Sequence, residues 1–273
     1  MTEQGTHGLA ARSSLIIATY NWKEALALVL ASVRAQSELP GEVLVADDGS
    51  RDDTREMLAH AARDFPVPLT HVWQPDDGFR KGRILNEAMA RAKGEYFIAL
   101  DGDMLVHRDF VRDHLRAAER GWYVQGGRMM LGAAPTARTL AAGRLAAGVF
   151  SGGVRNRVNG IHAPLLSALA RGDQGPVRRT RGCNAAYWRD DILRVNGYNE
   201  DLEGWGREDT ELIARLMNSG VRRRNLKFAA VAYHLEHAKS SRNRDAANME
   251  AVERVVRERV TRCAHGIDRH QAR

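Results

Sequence analysis

Cysteine is almost missing from this chain. Cys183 and Cys263 are the only two in 273 residues and stand far apart. That excludes a disulfide framework or a cysteine-rich zinc site and points to a reducing compartment, with the cytoplasm expected. No apolar run approaches the ~18 residues that a membrane span needs. The opening stretch, MTEQGTHGLAARSS, lacks the apolar core of a secretory signal. Aromatic residues make up 6%, so a tryptophan set on loop backbone calls for a reason. Acid is also in the minority, with 34 Asp and Glu against 41 Lys and Arg and a net charge of +7. A basic balance suits nucleic acid, an anionic bilayer or a phosphorylated ligand. The arginines are scattered among Arg178, Arg179 and Arg181, the run Arg222 to Arg224, and the C-terminal segment. They form no stripe interleaved with aromatics and no nucleic-acid motif, so no nucleic-acid partner is expected; solvated arginine-rich faces account for the charge equally well.

Strand and helix patterns alternate through the first half. SLIIATY is a buried apolar strand. Asn21 is placed to cap the next helix with Glu24 closing a capping box, and Leu26, Val29, Leu30 and Val33 share one helical face. EVLVADDGS, LTHVWQ and EYFIAL read as further strands, separated by helices that include ILNEAMARAKG. A helix from Phe110 to Arg120 and a strand WYVQGGRMML follow. This order predicts an α/β fold with a doubly wound, mostly parallel sheet, in which ligands sit beyond the carboxyl ends of the strands. Residues 131–176 are Ala-, Gly- and Arg-rich with weak periodicity, either a mobile loop with short helices or a substrate-specific insertion. RGCNAAYW then reads as a strand entering a helix, DTELIARLMNSG as a helix with Gly220 past its end, LKFAAVAYHLEH as a strand, and Asp245 to Arg262 as a basic helix. The expected organisation is a flexible N-terminus over 1–13 and one domain over 14–241. That domain divides into a first half (14–130) holding the parallel strands, the variable insertion (131–176) and a second half (177–241), and 242–273 form a basic helical tail.

Acidic clusters fall at the strand ends. In DGD, Asp101 and Asp103 suit a hard divalent cation with room for phosphate oxygens. Asp103 is the expected metal ligand, and Asp101 either touches a ribose or shares the metal shell. In ADDGS a turn accounts for one aspartate; a second carboxylate, Asp48, can accept the imide N–H of a uracil, with Arg80 placed to stack on or bond the same base. YHLEH offers His234 or His237, and an imidazole shifts the preference from Mg²⁺ towards Mn²⁺.

Together SLIIATYN, VLVADDGSRDDT, ARAKGEYFIALDGDM and NGYNEDLEGWGREDTELIARL resemble an inverting family-2 glycosyltransferase with the GT-A fold. The C-terminal part is similar to the region shared by β-1,4-galactosyltransferases and bacterial enzymes of the chondroitin-polymerase type. The resemblance implies Tyr20 against the base, Asp48 at the uracil, and Arg80 at base or phosphate. It implies Asp101 and Asp103 as the Asp-X-Asp motif, Trp205 and Gly206 as an acceptor-side loop, and Glu208 with Asp209 as a carboxylate pair whose second member is the base. His234 is the preferred histidine ligand, with His237 the alternative. The galactosyltransferases have glycine where this chain has Arg207, so their sugar preferences do not carry over.

This gives EGWGRED a physical sense. An indole stacks on the apolar face of a sugar, flanking glycines let it move, and Asp209 stays ionised at a helix start. The expected activity is metal-dependent transfer of a hexose or N-acetylhexosamine from a UDP-sugar to a saccharide or lipid-linked saccharide, in cell-envelope polysaccharide or lipopolysaccharide synthesis. Mn²⁺ or Mg²⁺ is the expected cofactor. The basic tail reads either as a contact with the anionic inner leaflet, giving a peripheral membrane location, or as a solvated helix. The competing readings are a nucleotide-sugar pyrophosphorylase or nucleotidyltransferase, and a non-catalytic polysaccharide binder. The first calls for a Gly-rich phosphate loop, which does not follow SLIIATY, and the second leaves the carboxylate pair unexplained.

Overall fold

The computed structural model describes residues 8–170, 172–173, 177, 180–202, 204–238 and 244–271. Arg178, Arg179 and Glu203 therefore lie outside the described residues. In chain order the elements are β1 (Ser13–Thr19), α1 (Lys23–Arg34), β2 (Glu42–Asp47), α2 (Asp52–Ala61), β3 (Leu69–Trp73), α3 (Lys81–Arg91), β4 (Tyr96–Asp101), β5 (Met104–Val106), α4 (Phe110–Ala117), β6 (Trp122–Gln125) and β7 (Met129–Leu131). They continue as α5 (Ala133–Ala142), β8 (Val154–Arg155), α6 (Pro164–Leu169), β9 (Gly172–Asp173), β10 (Asn184–Trp188), α7 (Arg189–Val195), α8 (Glu208–Asn218), β11 (Arg222–Asn225), β12 (Ala232–His234) and α9 (Asp245–Glu258).

An eight-stranded sheet runs in the order β3-β2-β1-β4-β10-β6-β11-β9. The first four strands are parallel; β10 enters antiparallel between β4 and β6, β11 pairs parallel with β6, and β9 closes the edge antiparallel. Side chains alternate across such a sheet. Leu15, Ile17, Val43, Val45 and Ile98 therefore pack with α1 and α4, through Leu26, Val29, Val33, Phe110 and Leu115. Ile16, Leu44, Phe97 and Ala99 pack on the opposite face with α3, α7 and α8, through Ile84, Met89, Ile192, Leu212 and Leu216. Strands buried on both faces read as continuous apolar runs, which is why β1, β2 and β4 were visible in the sequence.

Several expectations change. Asn21 does not cap α1: it has a left-handed φ of 48° and its Oδ1 accepts the Arg51 N–H, while Trp22 takes the cap position with no side-chain bond. The run WYVQGGRMML divides between two sheets, β6 in the large one and β7 in a four-stranded sheet ordered β5-β12-β7-β8. Arg222 to Arg224 form strand β11 instead of a solvated cluster. The guanidinium groups of Arg222 and Arg224 lie 3.9 and 4.6 Å from the Trp122 ring, and Arg223 is buried. The planar cation stacks on the indole while its stem covers the sheet.

The two ends of the chain are also integrated. Leu9 and Ala10 belong to the core, so the expected flexible lead does not extend over residues 8–13; residues 1–7 lie outside the described part. The segment expected as a basic helical tail folds back along α8. Val252 and Val255 are buried, Asn218 Nδ2 donates to the carbonyls of Val255 and Val260, and Cys263 and Ile267 reach the core. Of Val252, Val255 and Val256, only Val256 is exposed, so the helix presents no valine face to a bilayer. No helix among the described residues is long and apolar enough to cross a membrane.

Within α8, Arg215 and Glu211 form an ion pair at 0% and 1% side-chain exposure, with Nε–Oε1 at 2.9 Å and Nη2–Oε2 at 2.6 Å. Arg215 also donates to the Val195 carbonyl. Removing one partner strands a buried charge. Glu211→Leu is therefore expected to lower stability by about 3–5 kcal/mol in urea denaturation, and Glu211→Leu with Arg215→Met to recover most of it.

Candidate active site

The carboxyl ends of β1, β2 and β4 open into a cleft of about 790 Å³, closed on the far side by the small sheet and by the loop before α8. Tyr20, Asp48, Asp101, Asp103, Trp205, Glu208 and His234 all line it, although they come from the two ends of the sequence.

The two aspartates after β2 divide the work. Asp47 is fully buried; its Oδ1 accepts the Ser50 N–H and its Oδ2 meets His71 Nε2 at 2.9 Å, so it builds the turn. Asp48 faces the cleft. Its oxygens accept Gln74 Nε2 at 2.6 Å and the Arg80 backbone N–H at 2.8 Å, and burial raises its pKa despite those bonds. Each oxygen keeps a lone pair for a ligand. Tyr20 stands half exposed at the rim and donates to Asp76 Oδ2. Arg80 differs from expectation. Its guanidinium is turned to the Pro75 carbonyl and Asp77, and it does not line the cleft.

The next residue, Lys81, takes the interior position. Its Nζ lies 2.8 Å from Asp101 Oδ1. Burial opposes the ammonium, but Asp101, Asp209 and Glu208 outweigh it and hold the pKa well above the usual lysine value. Lys81 belongs to none of the motifs that mark the site in the sequence. A usable signal was its place in the first turn of a helix, where a cation opposes the macrodipole and so needs a compensating partner.

Asp103 forms a compact group with both histidines of YHLEH: Oδ2 is 3.3 Å from His234 Nε2 and 3.0 Å from His237 Nε2. Burial works against the Asp103 carboxylate, yet the His237 bond and the charges of both rings hold it below the ordinary value. His237 Nδ1 meets the Ala238 carbonyl at 2.7 Å, which leaves its Nε2 as the free donor atom in the neutral tautomer. Asp103 Oδ1 and His234 Nδ1 are buried without partners. One carboxylate and two imidazoles within 4.8 Å of one another, with an orphaned oxygen among them, fit a borderline divalent cation such as Mn²⁺ better than Mg²⁺, which prefers oxygen.

The loop 204–207 and the first turn of α8 complete the cleft. Trp205 lines it. Gly206 has φ 109°, which a side chain rarely adopts, and its carbonyl accepts Asn248 Nδ2. Arg207 sits at φ 77°, again a glycine conformation, and its guanidinium pairs in bidentate fashion with Asp245 at 2.7 and 3.1 Å. The one departure from the galactosyltransferase pattern thus ties the loop to α9, and the C-terminal helix is a support of the site.

Of the acid pair, Glu208 lines the cleft and Asp209 does not. Asp209 Oδ1 accepts the Tyr198 hydroxyl at 3.3 Å, and a Cβ on Gly182 would stand 2.1 Å from that oxygen, so only glycine leaves room for it. Burial first, and the charge of Asp209 second, push the Glu208 carboxyl up to about 7. Between its ordinary 4.5 and about 7 the folded chain keeps a proton that the unfolded chain releases, so stability falls as pH rises through that window. Glu208→Gln removes this cost. Its gain in urea midpoint over the unmodified protein is expected to grow from pH 4.5 to 7 and then level off.

Acids at the ends of parallel strands facing an aromatic loop define an α/β protein with a ligand cleft at its sheet edge, and its family follows from the sequence. The chain belongs to the family described as glycosyl transferase family 2, whose profile matches residues 14–191; a second profile, the N-terminal domain of galactosyltransferase, matches residues 168–238. It is 27% identical over 241 residues to the chondroitin synthase of Escherichia coli, covering 82% of this chain and 34% of that one. The chain spans between 27% and 34% of the length of the first curated relatives it matches. Among solved structures it is similar to S. aureus TarS in complex with UDP, with a TM-score of 0.61 at 18% identity over 95% of this chain and 68% of that one. It is also similar to the mannosyltransferase PcManGT of Pyrobaculum calidifontis in complex with GDP-Man and Mn²⁺, with a TM-score of 0.56 at 18% identity over 90% and 69% of the two chains. The fold is that of the GT-A glycosyltransferases.

Proposed function

We propose that the protein is a metal-dependent, inverting glycosyltransferase that moves a hexose or N-acetylhexosamine from a UDP-sugar to a saccharide or lipid-linked saccharide, in the assembly of a cell-envelope polysaccharide. The observation that carries this reading is the convergence of Asp48, Asp103, both histidines, Trp205 and Glu208 on one cleft. The UDP complex of TarS and the chondroitin synthase likeness support the donor and acceptor classes.

In this reading Asp48 accepts the uracil imide N–H and Tyr20 covers the base. Asp103, His234 and His237 hold the cation, which when bound neutralises the leaving diphosphate. Lys81 orients Asp101 through its 2.8 Å contact with Oδ1. Trp205 stacks on the acceptor sugar. The acceptor oxygen forms its bond to the anomeric carbon as the bond from that carbon to the diphosphate oxygen breaks. UDP leaves with the electron pair, and the acceptor proton passes to Asp209. A single displacement inverts the anomeric centre.

One observation favours a second reading of the base. Glu208 faces the cleft with Oε2 unpartnered and a pKa near neutrality, which suits a general base. The overall proposal is tested by offering UDP-glucose, UDP-galactose and their N-acetyl forms with Mn²⁺ and measuring UDP release. Release from at least one, abolished by chelation, is expected. No release from any of the four would reject it.

A further inference from the structure

The wall of the cleft formed by the small sheet carries two cations that the reaction above does not use. Met104, His234, Met130 and Arg155 stand opposite one another in register across β5, β12, β7 and β8. Cross-strand partners share a face. His234, Met130 and Arg155 accordingly all line the cleft, as does Arg128, two residues before Met130. With strands ~4.8 Å apart, the Arg155 backbone stands about 10 Å from that of His234, beyond the metal group.

Arg155 is exposed and makes no hydrogen bond or ion pair with any described residue. Glu236 lines the same cleft without pairing to it. Arg128 is half-buried and spends one N–H on Cys183 Sγ at 3.2 Å. Burial pushes that thiol up to about 12, so it is neutral, and the carboxylates whose charge acts on the Arg128 guanidinium are Asp101 and Asp103. Each arginine keeps N–H groups in the fork geometry that matches a carboxylate or phosphate.

We infer that Arg155 and Arg128 form an anion subsite, flanking Met130, that selects acceptors bearing a negative group on or next to the sugar that is extended. The inference rests on the cleft being a glycosyltransferase site. The anion is a uronic carboxylate or a phosphate ester, two sources of one chemistry. At Arg155 the donor diphosphate is not the occupant, because β8 stands two strands from His234; Arg128, just before the strand paired with β12, lies close enough to Asp101 and Asp103 to feel their charge and closes the near side of the subsite.

The test uses the full chain saturated with UDP and Mn²⁺, titrated with methyl glucuronide, glucose 6-phosphate and methyl glucoside while tryptophan fluorescence is read; Trp22 and Trp205 line the cleft. The charged sugars are expected to bind roughly tenfold more tightly than the glucoside, the preference to vanish in Arg155→Ala, and part of it to return in Arg155→Lys. Whether glucuronide or phosphate binds tighter identifies the source. Equal binding of all three sugars would overturn the inference, as would a preference that survives in Arg155→Ala. Loss of UDP affinity in that variant with the sugar preference intact would assign the arginines to the diphosphate instead. Absence of Mn²⁺-dependent UDP binding by the unmodified protein would reject the glycosyltransferase reading itself, a separate result.

Discussion

The Asp103→Ala protein is expected to bind UDP equally weakly with and without Mn²⁺, whereas the unmodified chain gains at least ~100-fold from the metal. The argument is geometric. Among the described residues Asp103 is the only carboxylate in contact with both imidazoles, through one oxygen at 3.3 and 3.0 Å, and its other oxygen is buried without a partner. Two imidazoles alone attract a dication less than two imidazoles and a carboxylate. Isothermal calorimetry with and without Mn²⁺ reads the effect directly. Undiminished metal-dependent affinity would remove Asp103 from the ligand set. Substituting each histidine in the same assay resolves the choice that the sequence left open. Loss of metal response in both His234→Ala and His237→Ala is expected.

Asp209→Asn is expected to lower kcat by ~10²–10⁴ while leaving UDP-sugar affinity within about threefold, because the proton acceptor acts on the transition state. Glu208→Gln provides the comparison. If Asp209 is the base, Glu208→Gln acts mainly on acceptor KM, since that side chain lines the cleft. If the larger kcat loss falls on Glu208→Gln, the residue facing the cleft is the base and Asp209 serves to raise its pKa, as its charge already does. Equal activity of both variants with the unmodified protein would sink the displacement mechanism. The pH profile separates the two further: with Glu208 as base, activity rises with pH through about 7.

Much of the site was legible because its acids stand at the ends of apolar strands, and strand ends in a doubly wound sheet share an edge. Asp48, Asp101 and Asp103 were singled out in this way, whereas Glu208, at the start of α8, came from the resemblance of the WGRED segment. What the sequence did not show was how each side chain is occupied. Arg80 and Lys81 are adjacent, yet Arg80 turns to Pro75 and Asp77 and Lys81 turns inward. Local pattern does not distinguish them, because the choice depends on Asp101 arriving from another strand. The pairing of His237 with Asp103, and the retreat of Asp209 behind Gly182, are likewise set by contacts distant in the chain.

The amino-acid order alone determined the α/β class, the parallel strands, and the family, because those follow from periodicity, turn chemistry and short motifs in sequence. Only the tertiary structure decided that the arginine run at 222–224 is a strand stacked on Trp122, that the basic C-terminal segment braces the Trp205 loop through Asp245 and Asn248, and that Arg155 stands in line with His234. The physical reason is the same in each case. A charged or amphipathic side chain takes its place from the partner that desolvates or neutralises it, and that partner is supplied by the fold.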